Sequence, residues 1–127
     1  MGQVVNTMAK KINIQDKLSL FNDHWNPRII GELNKQHVKL AKIKGEFIWH
    51  KHEDEDEMFL VLKGTLKIEF RDRTETIQEN EIIIVPKGVE HKPIAEEEVS
   101  IMLFEPATTI NTGALENERT RKNLESI

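Results

Sequence analysis

The sequence contains no cysteine and no tyrosine among its 127 residues. The absence of cysteine excludes disulfides, cysteine-ligated zinc, iron–sulfur clusters and thiol nucleophiles, and it is typical of a protein in a reducing cytoplasm. The absence of tyrosine excludes tyrosyl acid–base and radical chemistry. Any metal ion must therefore be held by histidine, aspartate or glutamate.

Long apolar runs and an excess of basic residues are also lacking. No run approaches the roughly 18 apolar residues of a membrane-spanning helix, and the start, MGQVVNTMAKKINIQ, lacks the apolar segment of a secretory signal. The 18 lysine and arginine residues against 22 aspartate and glutamate residues give a net charge of -4. Because broad binding to nucleic acid needs a basic surface, we expect neither nucleic acid nor membrane as a partner. We expect a cytoplasmic protein.

The chain is long enough for one domain with a core, since 38% of its residues are hydrophobic. From Gln36 onward the sequence consists of short β-like runs separated by turn or charged residues. Little room is left for helical crossovers, so antiparallel hairpins that close into a small barrel are expected. The predicted strands cover residues 37–44, 46–52, 57–63, 65–70, 75–78, 81–85 and 98–105.

Both ends of the chain differ from this β-rich middle. The apolar residues of KLSLFNDHW, residues 17–25, have near-helical spacings, and Pro27 then interrupts the pattern. The stretch from Thr112 is charged and lacks an apolar period, as is typical of a tail or partly ordered arm. We expect one domain in three parts: an N-terminal helix and arm (1–35), a barrel (36–106) and a charged C-terminal tail (107–127).

Two of the predicted strands are apolar at consecutive positions. These are EMFLVLK, residues 57–63, and EIIIV, residues 81–85. Such runs indicate burial on both sides of a strand, either beneath another element or in an interface between two copies of the chain. A homodimer is therefore expected.

His50 and His52 are separated by one residue within a β-like run. Because side chains alternate across a strand, both imidazoles would project from one face, about 6.6 Å apart along it. Phe47 and Trp49 would give the other face its apolar character and would pack in the core or an interface rather than against a ligand. Two imidazoles on one wall can converge on one metal ion, although an isolated H-x-H pair is more often solvated or internally satisfied.

Glu57 and His91 can complete a metal site with these histidines. Glu57 follows the acidic stretch 53–56 and opens the next predicted strand, which a hairpin would return beside the histidines. Pro86 and Gly88 shape a turn that delivers His91 onto another strand. Taken alone, Glu57 is typical of a hydrated acidic loop and His91 of an exposed turn. Together, three imidazoles and one carboxylate suit a borderline divalent metal with open coordination positions.

The same residues fall into two motifs of a known family. GEFIWHKHEDEDEMFLVLKG, residues 45–64, resembles the first motif of the cupin family, G-x5-H-x-H-x3,4-E-x6-G, with one residue fewer before the first histidine. NEIIIVPKGVEH, residues 80–91, resembles the second motif, G-x5-P-x-G-x2-H-x3-N. Asn80 replaces the usual first glycine, and asparagine tolerates the left-handed backbone better than most residues. Ala95 replaces the terminal asparagine, which is not a metal ligand in the usual pattern.

The resemblance implies an all-β fold, a small antiparallel β-barrel of the double-stranded β-helix or jelly-roll type, with a short helix before it. It also implies one divalent metal, with iron, manganese, nickel, zinc and copper all used by family members, and a dimer in many cases. The chain is similar to stand-alone cupins labelled mannose-6-phosphate isomerase-like, a label that describes kinship of fold. The implied metal ligands are His50, His52, Glu57 and His91.

Three classes of function remain open. The first is a metal-dependent enzyme that acts on a small polar or oxygenated molecule, as an oxygenase or an isomerase. The second is a binding protein whose metal anchors a small ligand without turnover, and the third is a structural barrel with a vestigial histidine cluster. Glu46 is expected at a strand start, and Arg71 and Arg73 in a hairpin turn, so no separate general base or inward cationic cluster is apparent. The sequence identifies metal ligands but no catalytic residue.

Overall fold

A computed structural model of the protein describes residues 8–127, so the first part of the predicted N-terminal arm, residues 1–7, lies outside the described residues. Within the described part, the chain forms one short helix and seven strands. No helix there is long and apolar enough to cross a membrane. In chain order the elements are α1 (Ile14–Leu18), β1 (Arg28–Leu33), β2 (Gln36–Glu46), β3 (Glu57–Lys63), β4 (Leu66–Phe70), β5 (Thr74–Ile77), β6 (Ile82–Val85) and β7 (His91–Pro106).

The strands pair antiparallel throughout, and five of them follow the order β1-β2-β7-β3-β6. In addition, β4 pairs with the first part of β7, and β5 pairs with β4. The long strand β7 pairs first with β4, from Phe70 opposite His91. Its later part lies between β2 and β3. One strand thus joins both parts of the sheet, which confirms the predicted all-β antiparallel barrel.

Two apolar clusters hold the sheet. The smaller one lies outside the barrel, where Leu18 of α1 and Phe21 pack with Ile30 and Leu40. The larger one fills the interior and consists of Trp25, Ala41, Ile43, Phe47, Phe59, Val61, Leu66, Ile68, Phe70, Ile77, Val85, Ala95, Val99, Ile101 and Leu103. Because β2, β3 and β7 are covered on both faces, their apolar residues need not alternate strictly with polar ones.

The predicted strand over residues 46–52 is wrong. Beyond Glu46, the last residue of β2, this segment is irregular, and among the described residues it forms a single isolated bridge, between His50 and His91. The sequence pattern predicts no strand at β1, since Pro27 there marks only the end of the preceding helical pattern. The pairing of β1 with β2 shifts register between Ile29 and Gly31, so the strand accommodates its glycine at a bulge.

The helix lies earlier than the predicted span of 17–25. It begins after Asn13, whose side chain accepts a hydrogen bond from the Asp16 amide at 3.0 Å and so caps the first turn. It ends at Leu18, and the Ser19 hydroxyl donates to the Asp16 carbonyl at 2.6 Å. The Trp25 side chain is buried, but its backbone is not helical and has a φ of 58°. The near-helical spacing of Leu18, Phe21 and Trp25 therefore does not come from a continuous helix, since the last two are buried from the irregular segment after it.

The two strands with consecutive apolar residues differ in burial. Both faces of β3 are at least partly covered, as predicted, because it lies inside the sheet between β7 and β6. Within a single chain β6 is not covered on both sides, since Ile82 and Ile84 are 56% and 58% exposed, and its burial in an interface between two copies stays a prediction. The edge position of β6 explains the difference, since within residues 8–127 no further strand pairs with its outer edge.

The charged C-terminal segment packs onto the barrel. The Ile29 amide donates to the Glu125 carbonyl at 2.9 Å, and the Ile127 amide donates to the Ile29 carbonyl at 3.0 Å. Thr112 is fully buried, and the Arg119 guanidinium lies 5.2 Å from the centre of the Trp25 ring. The segment from Thr112 onward therefore makes defined contacts with β1 and with the wall of the barrel, where the sequence indicated a partly ordered arm.

Candidate metal centre

Backbone hydrogen bonds position the two histidines of the irregular segment. The amides of His50 and His91 each donate to the carbonyl of the other, at 3.1 and 2.9 Å. The His52 carbonyl accepts a hydrogen bond from the Gly88 amide at 2.7 Å. Gly88 has a φ of 80°, the left-handed conformation that glycine adopts readily in a tight turn. The turn before β7 thus anchors the segment that carries His50 and His52.

The other two side chains stand at strand starts. Glu57 is the first residue of β3 and pairs with Val85 of β6, and His91 is the first residue of β7. The acidic loop before Glu57 is tied to the same turn, because Asp56 accepts a hydrogen bond from the Lys87 amide at 2.9 Å. Strand ends and the turn therefore converge at one end of the barrel.

His50, His52, Glu57 and His91 form one buried cluster. One potential ligand atom from each lies within 4.8 Å of those of the others. The Nε2 atoms of His91 and His52 lie 3.3 and 3.5 Å from Glu57 Oε1. The structure therefore brings the four predicted residues together, and this buried group can hold a metal ion.

The hydrogen bonds of the imidazoles fit such an ion. His50 Nδ1 lies 2.9 Å from the Ile48 carbonyl, and His91 Nδ1 lies 2.9 Å from the Val89 carbonyl. A carbonyl only accepts, so both Nδ1 atoms carry a proton. The Nε2 atom of His50 therefore keeps its lone pair for a metal, while that of His91 faces Glu57 Oε1 at 3.3 Å. Both ring nitrogens of His52 are buried without a hydrogen-bond partner. An unpaired buried polar group costs about 1–3 kcal/mol, a cost that coordination of a metal would remove.

The electrostatics of His50 and Glu57 favour the protonation states that bind a metal. Burial, with a further contribution from His91, lowers the pKa of His50 to about 4. Burial opposes ionisation of Glu57, but the neighbouring imidazoles of His52 and His91 outweigh it and hold the pKa of this carboxyl well below its usual range. Neutral imidazoles and a carboxylate are the forms that bind a metal.

Two buried charged residues behind Glu57 were missed by the sequence reading. Lys39 of β2 and Glu105 of β7 form an ion pair with an Nζ–Oε1 distance of 3.0 Å, and both side chains are 3% exposed. Glu105 lies next to Glu57 on the neighbouring strand, since Met58 of β3 pairs with Phe104 of β7. Burial, followed by the charge of Glu57, raises the pKa of Glu105 well above its usual range. Local alternation gave no signal for Lys39, because it lies between Val38 and Leu40 as a solvent-facing residue of a strand would.

A narrow cavity of about 40 Å³ lies beside the cluster. Since one water needs roughly 10–15 Å³ by this kind of measure, the cavity holds only a few water-sized groups. His50, Glu57 and Asn111 are its polar lining residues. The remaining lining is apolar and consists of Trp25, Pro27, Ala41, Ile43, Phe47, Phe59, Pro93, Ile101 and Leu103.

Phe47 packs in the core cluster as predicted, but the two aromatic residues of the irregular segment do not share one face as strict alternation would require. The Phe47 ring lies edge-on to His50 at 5.1 Å between ring centres and contributes to the cavity wall. Trp49 lies towards the surface, with the Arg71 guanidinium 3.8 Å from its ring centre. Strict alternation fails because the segment is not a regular strand. Glu46 is exposed, in agreement with its expected structural role.

Comparison with known proteins agrees with this architecture. A family model described as a cupin domain matches residues 36–105, more than half of the chain. The chain belongs to the cupin family.

A curated relative, uncharacterized protein YdbB of Bacillus subtilis, is 36% identical over 93 residues, which cover 72% of this chain and 76% of the relative. A crystal structure of a cupin-2 domain containing protein from Shewanella frigidimarina matches with a TM-score of 0.74 and 57% identity, covering 75% of this chain and 93% of that one. Protein NMB1881 from Neisseria meningitidis matches with a TM-score of 0.71 and 32% identity, covering 76% and 99%. These similarities support a small stand-alone cupin.

Proposed function

We propose that this protein is a metal-dependent enzyme that binds one divalent transition metal through His50, His52, Glu57 and His91 and acts on a small oxygenated molecule. The carrying observation is the convergence of four buried ligand groups, within 4.8 Å of one another, beside a small and mainly apolar cavity. When bound, such a metal supplies a Lewis acid and, if it is redox-active, a centre for oxidation chemistry. Iron, manganese, nickel, zinc and copper all fit this mixed donor set.

The chain's own residues would select and orient the substrate. The cavity wall is mainly apolar, and Asn111 offers an amide that can donate to or accept from an oxygen of the substrate. Trp25 and Phe47, stacked with ring centres 4.8 Å apart, form an aromatic part of this wall. A flat, weakly polar molecule with one oxygenated end suits these surroundings, and a body of more than a few atoms requires the wall to move.

Sugar-phosphate isomerisation is less well supported. A phosphate is usually bound by arginine, lysine or several backbone amides, and no lysine or arginine is among the described residues that line the cavity. The oxygenase type is therefore favoured over the isomerase type within this proposal.

Elemental analysis and oxygen consumption test the proposal together. Protein purified from rich medium is expected to contain a transition metal at close to one ion per chain. The iron-loaded protein is then assayed for oxygen uptake with a panel of catechols, thiols and keto acids. Uptake with one substrate class supports an oxygenase, whereas protein that neither retains nor takes up a metal contradicts the metal site and favours the vestigial barrel.

A non-catalytic binding protein is the second candidate. One observation favours it: apart from the proposed ligands His50 and Glu57, Asn111 is the polar residue in the described cavity lining, and an amide is not a general acid or base. A compound of the panel that raises the melting temperature of the metal-loaded protein but is never converted would support binding without turnover.

We also propose that the protein forms a homodimer in the cytoplasm. The exposed isoleucines of the edge strand β6, Ile82 and Ile84, support an interface with a second copy. Light scattering coupled to gel filtration is expected to give the mass of two chains, and the mass of one chain would contradict the dimer. Cell fractionation tests the location.

A further inference from the structure

We propose that a divalent metal ion reaches the ligand set through a surface pocket next to His52, and that the carboxylates of Glu53, Asp54 and Glu55 attract it there. The inference rests on the metal site proposed above and deepens it, because it assigns a loading route to a loop outside the ligand set. The opening lined by His52 and these three acidic residues is called the acidic pocket below.

The acidic pocket lies between two segments that are far apart in the chain. Its volume is about 230 Å³. The acidic loop forms one wall, and residues of the C-terminal segment between Thr108 and Ala114 form the other. The Thr108 hydroxyl joins the two walls by donating to Glu55 Oε2 at 2.9 Å. The pocket is therefore a feature of the folded chain and not of the acidic loop alone.

The ligand cluster lies between the acidic pocket and the inner cavity. The two openings share no lining residue: His50 and Glu57 line the inner cavity, and His52 lines the acidic pocket. The inner cavity measures about 40 Å³ and is mainly apolar. A hydrated octahedral ion carries about six waters and needs roughly 60–90 Å³ by the same measure. Of these two openings, the acidic pocket is thus the one that can admit an ion with its water shell.

The charge of the acidic pocket favours a cation. Its lining includes three carboxylates, and no lysine or arginine is among its described lining residues. Lys51 pairs with Glu53 at 3.2 Å, but both side chains are exposed, so the pair is weak in water and leaves Glu53 available. A cleft lined by charges of one sign concentrates ions of the opposite sign and speeds their association by about 10–1000-fold. The same charges would repel an anionic substrate.

His52 is the ligand residue best placed to receive the ion first. Its side chain is 3% exposed, and neither ring nitrogen has a hydrogen-bond partner within residues 8–127. By contrast, the Nδ1 atoms of His50 and His91 are each held by a backbone carbonyl at 2.9 Å. The His52 ring can therefore turn between the acidic pocket and the other three ligands without breaking a hydrogen bond.

Stopped-flow mixing with cobalt(II) tests the route, because the visible absorption of this ion changes when protein ligands replace its waters. The measured quantities are the association rate constant, the rate of release to excess chelator and the dissociation constant. In Glu53→Gln/Asp54→Asn, association is expected to slow roughly tenfold and to depend less steeply on ionic strength. Glu55 is left unchanged to keep its hydrogen bond with Thr108.

Glu96→Gln/Glu97→Gln is the matched control for net charge. It removes the same charge from two exposed residues of β7 that line neither opening. Because attraction by distant exposed charges is screened by salt, its association rate constant is expected to stay within about twofold of the wild type.

A steric variant tests the position of the route independently of charge. Ala114 is exposed in the wall of the acidic pocket, so Ala114→Trp is expected to narrow the opening. An obstruction on a path slows movement in both directions equally. Association and release should therefore slow by the same factor, with an unchanged dissociation constant. Leu115→Trp is the matched control, since Leu115 is the next residue, is 52% exposed and lies outside the pocket lining.

Wild-type association rates in either Glu53→Gln/Asp54→Asn or Ala114→Trp would overturn the inference. Equal slowing in a variant and its matched control would also overturn it. A wild-type chain that binds neither cobalt(II) nor another transition metal at equilibrium would instead overturn the metal site itself, and this inference with it. Equilibrium binding with unaltered rates in the variants would leave the metal site standing and remove only the route.

Discussion

The interior of the barrel contains two regions that are equally buried but opposite in chemistry. Val61 and Leu66 of the apolar core are fully buried, and so is His91 of the polar cluster, with His52 only 3% exposed. Burial of the apolar residues stabilises the fold by about 25 cal/mol for each Å² removed from water. Burial of the polar residues opposes folding unless each group finds a partner. The apolar core therefore stabilises the fold, and this stabilisation offsets the cost of burying the metal ligands away from water.

Ile101→Ala should give the largest effect and test the apolar side of this comparison. Ile101 is 2% exposed on β7 and lines the cavity, so the truncation is expected to lower the free energy of unfolding by about 2–5 kcal/mol. Zinc affinity should stay at the wild-type value because the four ligand groups are untouched. Denaturant unfolding and chelator competition measure the two quantities. A strong loss of zinc affinity would show that the two regions are not separable.

Low pH should destabilise the metal-free protein through protonation of His50 in the polar cluster. Its pKa is lowered from 6.5 to about 4, so the folded metal-free protein holds this ring neutral while an unfolded chain would protonate it. The resulting contribution to stability, about 3 kcal/mol, is fully present above pH 6.5 and is lost as the pH falls towards 4. NMR titration of the ring carbons should show the His50 midpoint near 4. A midpoint near 6.5, as for a solvated histidine, would contradict the burial of this ring.

His52→Ala should do the reverse of Ile101→Ala: it should lower metal affinity and leave the stability of the metal-free protein nearly unchanged. Removal of one ligand is expected to lower metal affinity roughly tenfold or more. The metal-free variant should unfold close to the wild type, because both ring nitrogens of His52 lack a hydrogen-bond partner. His24→Ala is the matched control, since His24 is a surface histidine bonded to Glu98 at 2.7 Å. Unchanged metal content in His52→Ala would argue against the ligand set.

Ile84→Lys should have the smallest effect on stability. It is a surface variant against which the changes in the apolar core and in the polar cluster can be compared. Ile84 is 58% exposed on the edge strand β6, so the variant is expected to change the free energy of unfolding of one chain by no more than about 0.5 kcal/mol. If the homodimer uses this strand, the buried charge should dissociate it, which light scattering detects. A monomeric variant with intact zinc binding would also show that the site is complete within one chain.

Much of the fold could be predicted because most strands show their own local pattern. β4 alternates between buried and half-buried residues as its sequence does, and β3 has the predicted bounds. Asn80 adopts a φ of 66°, in agreement with its replacement of a motif glycine. Local patterns failed where backbone geometry depends on distant partners, as in the predicted strand 46–52, or on a cap such as Asn13.

The residues of the candidate site also divide into those that the sequence predicted and those that only the structure revealed. The spacings of His50, His52, Glu57 and His91 pointed to one cluster, and the structure brings them together, although not through the regular strand that the argument assumed. Lys39 and Glu105 escaped notice because charged residues in strands usually face solvent. Their meeting depends on the register of three strands, which no local pattern specifies.

The sequence by itself determined the all-β class, the chemistry available to a cysteine-free chain and the identity of the four candidate ligands, because residue type and short spacings carry that information. Only the tertiary structure decided which face of each strand lies inside, that Trp25 and Asn111 line the cavity, and that Lys39 reaches Glu105. These contacts join residues far apart in the chain, and long-range strand pairing, not local propensity, determines where they meet.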